Sequence, residues 1–225
     1  ALNHAVDKNR SYPTPTFTTK GTREQGSIVA INEGNTKLHL SLYDGYGVHQ
    51  DDNFPDVAVD NNGNKMLIEM FGSSELLGLE ILYDTIFAFR NNLIETFDLQ
   101  GVAKRTYLAD IVSARSIVAT PYGVCFAGKA AIYLIPSDGG EIRVLNELWN
   151  NYYGGNEYVT GSTQYITEAY RSAIIAGYDD TYREANFLIQ VNTATSSEYI
   201  LHRYSFEDQK WKQRKLNTTD TIKYF

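Results

Sequence analysis

The chain has one cysteine, Cys125, so no internal disulfide can staple it. It has only two methionines and five prolines. No uninterrupted apolar run reaches the roughly 18 residues that a helical membrane span requires, so none is expected. Ala1-Leu2-Asn3-His4-Ala5-Val6 carries neither an initiator methionine nor a signal-peptide pattern, as expected of a processed piece or a fragment of a longer polypeptide. Lysine and arginine are outnumbered 20 to 27 by aspartate and glutamate, giving a net charge of −7. That field opposes sequence-independent nucleic-acid binding, which needs clustered cations to displace counterions from phosphates. The densest basic stretch, Lys210-Trp211-Lys212-Gln213-Arg214-Lys215, is read as a solvated edge strand guarded by lysines rather than as a phosphate grip.

Metal and catalytic motifs are missing as well. His4, His39, His49 and His202 are scattered, with no pair at ligand spacing. Asp60, Asn62 and Asn64 have the spacing of a calcium loop. Lys65 stands where its glycine belongs and no glutamate closes it, so a hairpin turn is expected there. Asp44, Asp51, Asp52 and Asp56 could supply the facing carboxylates of a glycoside hydrolase, but spacing in a loop does not show facing, and a solvated acidic loop is the default reading. No Gly-x-Ser-x-Gly elbow or phosphate-binding loop occurs. Cys125 lies in Gly-Val-Cys-Phe-Ala and is read as a buried, inert thiol. The expectation is a non-enzyme with no catalytic residue, metal or cofactor.

What the chain does have is aromatic residues, with 17 tyrosines and 10 phenylalanines, and regular turns. Rings suit pleated surfaces, where they pack across strands. Gly26–Ile31 and Lys37–Leu42 flank Asn32-Glu33-Gly34-Asn35, and Val57–Val59 and Lys65–Met70 flank Asp60–Asn64, each reading as a hairpin. Four strands then follow in close succession, at Leu79–Leu82, Thr85–Phe89, Leu93–Phe97 and Arg105–Leu108. The pattern recurs about 40 residues on, at Ser116–Thr120, Val124–Ala127, Ala131–Ile135 and Glu141–Leu145. A last set covers Ser172–Ala176, Glu184–Ile189, Tyr199–Phe206 and Trp211–Leu216. Ser27-Ile28-Val29-Ala30, Ser116-Ile117-Val118-Ala119 and Ser172–Ala176 read as equivalent starts of these units.

Four-stranded units at this spacing imply an all-β, β-propeller-like fold of repeated antiparallel blades. With at most four or so units visible, an incomplete or partner-completed propeller is expected. Residues 1–25, rich in threonine and holding Pro13 and Pro15, read as an extended arm or linker; 26–216 is the propeller-like domain, and 217–225 a C-terminal tail. An insertion near 146–170 interrupts the pattern. Leu145, Leu148, Trp149 and Tyr152 share helical spacing there, so a short helix fits; the insertion reads equally as a packed loop whose Trp149 caps the core or as an interaction surface.

Several stretches together resemble the propeller-like structural proteins of tailed-phage virions, the tail nozzle, tubular and stabilisation proteins. These are Tyr83–Arg90, the Ser-Ile-Val-x-Thr-Pro-x-Gly-Val segment Ser116–Val124 within Asp110–Ala127, and Ile132-Tyr133-Leu134. Tyr178-Asp179-Asp180-Thr181-Tyr182-Arg183-Glu184 matches that family's closing turn, and Tyr204-Ser205-Phe206 with Trp211 its end. The resemblance covers about residues 76 to 216. The chain departs from the family where a tryptophan is usual, at Cys125-Phe126, and where a glycine is often found, at Ala131. The resemblance implies a virion tail component, located in the phage tail. It would form a homo-oligomeric ring for DNA passage, with other tail proteins as partners and no membrane or sequence-specific nucleic-acid role. The rival reading is a carbohydrate- or receptor-binding propeller module using Tyr152, Tyr153 and Tyr158.

Overall fold

The computed structural model describes residues 18–20, 29–33, 37–40, 67–71, 74, 76–98, 101–145, 166, 168–192 and 197–216. The strands within them form four antiparallel sheets of four strands, each laid down in chain order. The first holds β1 (Thr18–Lys20), β2 (Val29–Glu33), β3 (Lys37–Leu40) and β4 (Leu67–Glu69). The second holds β5 (Leu76–Leu82), β6 (Thr85–Arg90), β7 (Leu93–Asp98) and β8 (Ala103–Leu108). The third holds β9 (Val118–Thr120), β10 (Gly123–Ala127), β11 (Ile132–Pro136) and β12 (Arg143–Val144). The fourth holds β13 (Ile175–Asp179), β14 (Glu184–Asn192), β15 (Ser197–Ser205) and β16 (Lys210–Lys215). A one-turn helix, α1 (Glu168–Ser172), precedes the fourth sheet. The fold is all-β and propeller-like, built of repeated four-stranded antiparallel blades.

The chain divides into two compact units, Ala1–Leu108 and Ala109–Phe225, with two sheets in each. In the first unit, Leu38 and Ile68 pack with Leu76, Ile81, Ile86, Ala88 and Phe97 of the second sheet. Phe87, Phe89 and Ile94 alternate with that set and are buried too, so both faces of the central strands β6 and β7 lie inside. In the second unit, Cys125, Ala127, Ile132 and Leu134 pack with Ala185, Phe187, Ile189, Val191 and Ile200 of the fourth sheet. Every residue of β10 is buried, which fits its uninterrupted apolar sequence.

Turn chemistry fixes the registers. Thr120 Oγ1 donates to the Gly123 carbonyl at 2.8 Å and accepts from the Tyr122 amide at 3.2 Å, closing the β9–β10 hairpin. Gly123 has φ +146°, and a Cβ there would strike the Ile135 carbonyl on β11. Only glycine meets both demands. The β13–β14 and β15–β16 hairpins share one design. Asp179 Oδ1 accepts from the amides of Thr181 and Tyr182, and Ser205 Oγ accepts from the Asp208 amide. Each loop ends on a residue in the left-handed region, Arg183 at φ 52° and Gln209 at φ 53°.

Two expectations change. Thr18–Lys20, inside the stretch read as an arm, is a strand paired with β2 in the register Thr18↔Ile31. Val29–Glu33 is therefore the second strand of its sheet, whereas the look-alike segments at Ser116 and Ser172 lead into first strands. The three starts are not equivalent, because a four-residue apolar match fixes a face and not a place in the sheet. Val57–Val59, the Asp60–Asn64 turn, most of the 146–170 insertion, and 217–225 lie outside the described residues.

Candidate functional site

The described residues offer three constellations of polar or aromatic groups, and each is built by strand register. The first is an aromatic cluster at one end of the second unit. Tyr122, at the β9–β10 turn, stacks on Phe206 of the β15–β16 turn with ring centroids 4.3 Å apart and 15° between planes. Tyr178 and Tyr204 meet Phe206 edge-on at 6.3 and 5.3 Å. Trp211 lies 5.2 Å from Tyr204 and 6.1 Å from Phe187, and its indole N–H donates to the Leu145 carbonyl. These geometries are the offset and edge-to-face arrangements aromatic quadrupoles favour. The cluster joins the third and fourth sheets through the residues of the tail-protein resemblance, and its rings cover one another.

The second is a buried ion pair in the first unit. Arg90, fully buried, donates through Nε to Glu95 Oε2 at 2.7 Å, across the turn between β6 and β7. Its Nη1 donates to the Ser74 carbonyl, and its Nη2 lies 3.3 Å from Met70 Sδ. Glu95 Oε1 accepts from the Phe71 amide at 2.6 Å. Each charge is thereby compensated by its partner and by backbone groups, which burial demands. The pair ties the segment between β4 and β5 to the second sheet.

The third is the outward face of the fourth sheet. Glu184, Asn186 and Leu188 on β14 share this face with Arg203 and Leu201 on β15 and with Lys210, Lys212 and Arg214 on β16. The Glu184 carboxylate is almost wholly covered. It holds Lys212 Nζ at 2.9 Å and Arg203 Nη1 at 3.4 Å, while Asp208 lies 3.7 Å from the same lysine. The Glu184 hydrogen bond is the main reason the Lys212 ammonium is held above its usual range. The basic stretch is thus an edge strand, as its sequence suggests, with acidic partners beside it.

Other candidates reduce to packing. Cys125 is fully buried in the core, and burial pushes its thiol far up, away from nucleophilic use. His202 is buried on the core face beside Phe187; burial pushes it down to about 4, against a small opposing effect of its Nδ1 contact with the Ile200 carbonyl. The His39 side chain, His4, His49, Asp44, Asp51, Asp52, Asp56, Trp149, Tyr152, Tyr153 and Tyr158 lie outside the described residues. Among the described residues, no three His, Cys, Asp or Glu side chains are grouped so that they could hold a metal ion. Nor is any described helix long and apolar enough to cross a membrane.

Sequence reasoning missed the Arg90–Glu95 pair. Its signal was an arginine ending the apolar run Thr-Ile-Phe-Ala-Phe and a glutamate inside Leu-Ile-Glu-Thr-Phe, opposite charges bracketing a short turn.

No protein-family model matches the chain, and no curated protein does. Among solved structures it is similar to the WD40 domain of SCAP from fission yeast, at 10% identity and a TM-score of 0.42. That likeness covers 92% of this chain and 52% of the other. Two structures of the extracellular domain of BT4673 from B. thetaiotaomicron are also similar, each at 11% identity, with TM-scores of 0.38 and 0.33. They cover 93% and 96% of this chain, and 29% and 35% of the other. The chain thus spans about half the length of the first and about a third of the others. The fold assignment rests on the strand pairing rather than on these likenesses.

Proposed function

We propose that the chain is a non-catalytic, propeller-type structural module that works by assembly, and that its setting is the tail of a tailed-phage virion. There it would form a nozzle-type homo-oligomeric ring together with other tail proteins. One observation carries this reading. The residues of the tail-protein resemblance, Tyr122, Tyr178, Tyr204, Phe206 and Trp211, serve to lock two blades together by ring packing. Residues used this way specify a scaffold, and a scaffold acts through its edges and outer faces. The buried charges support the same reading, because Arg90 and Glu95 neutralise each other inside the first unit instead of facing a cleft.

Negative-stain imaging of the intact parent protein tests it, together with mass spectrometry of purified virions for peptides of this chain. Rings, and peptides recovered with the tail, are expected. A strict monomer absent from virions, or a glycan-array signal with no assembly, would overturn it.

A further inference from the structure

We propose that the outward face of the fourth sheet is the surface on which a second copy of this chain docks, through contacts between this basic face and an acidic surface of the neighbour. The inference rests on the ring reading above and gives it an interface.

The sheets differ in how they are covered. β10 in the third sheet is buried residue by residue, and β6 in the second nearly so. In the fourth sheet the core face, Ala185, Phe187, Ile189 and His202, is closed, but the opposite face is not. There Ile175 and Leu201 are half-buried beside Leu188, and Tyr199 is 52% exposed at the end of the same stripe. An apolar stripe rimmed by charge is the composition of an interface.

Charge identifies the occupant. The cations Lys210, Lys212, Arg214 and half-buried Arg203 outnumber the acids that share or rim this face, Glu184, Asp179 and Asp208, of which Glu184 pairs with Lys212 and Arg203 and Asp208 with Lys212. A basic face on a chain of net charge −7 is complementary to the rest of that chain. Between Lys37 and Lys65 the sequence has Asp44, Asp51, Asp52, Asp56 and Asp60, and neither lysine nor arginine. Contact between unlike surfaces of identical chains is head-to-tail, the type that closes into rings. The lysines on β16 also discourage indiscriminate strand addition at that edge, so the docking contact is made by side chains.

The test is mass photometry of the full chain across a concentration series, at about 0.05 M and about 0.5 M salt. It compares wild type, Lys210→Glu/Arg214→Glu, and Lys129→Glu as a charge control on another sheet's loop. Wild type and the control are expected to oligomerise, more weakly at high salt. The double variant is expected to need at least about tenfold more protein to do so. Lys210→Ser/Arg214→Ser repeats the test without charge reversal should the first variant misfold by circular dichroism. Oligomers unchanged in folded variants would overturn this interface and leave the ring reading standing. A wild type that stays monomeric throughout would overturn both.

Discussion

At the scale of single residues, the informative groups are the charged and titratable ones placed inside. Arg90 and Glu95 stabilise the fold only as a pair, because either alone is an uncompensated buried charge. Arg90→Met is expected to lower stability by about 3–5 kcal/mol, read by urea denaturation. Adding Glu95→Leu should recover much of that loss, since it removes the stranded carboxylate. Additive losses in the double variant would contradict coupling between the two charges. His202 acts through pH. Its folded-state value lies near 4 against an ordinary 6.5, so below pH 6.5 the unfolded chain takes up a proton that the folded chain refuses. Stability should therefore fall as pH drops from about 6.5 toward 4, by up to about 3 kcal/mol from this one group, and then level off. His202→Gln should show a shallower loss between pH 7 and pH 5 than wild type. Parallel curves for the two proteins would refute that assignment.

At the scale of elements, the hairpin is the unit that repeats, and turn chemistry decides whether it forms. The β9–β10 turn depends on Gly123, whose left-handed-side φ and contact with the Ile135 carbonyl leave no room for a Cβ. Gly123→Ala should cost more than about 2 kcal/mol in the same denaturation assay, with the largest gain in hydrogen exchange at β10 and β11. A neutral effect would mean that the turn can relax at no cost. The hairpins from β5 to β12 were readable in the sequence because apolar residues alternate with period two or run unbroken between Asn, Asp, Gly and Pro. The strand Thr18–Lys20 was not readable, since Thr-Thr-Lys beside a proline-rich stretch carries no alternation, and only pairing with Val29–Ile31 makes it a strand. The third constellation was half readable. A basic run marks β16 as an edge, but the buried Glu184 beneath Lys212 and Arg203 depends on strand register, which residue order alone does not specify.

At the scale of the molecule, four sheets of the same build divide between two compact units. All four strands of every sheet are consecutive in the chain, so no sheet among the described strands is completed by a strand from the opposite end of the sequence. Cys125 and His202 are buried in the second unit, and Tyr122 stacks on Phe206 between its two sheets. The proposal that this chain works by assembling with itself is tested most directly by native mass spectrometry of the purified chain at micromolar concentration. One dominant closed stoichiometry above the monomer, dissociating as salt rises, is expected; a single monomer peak at every concentration would contradict it.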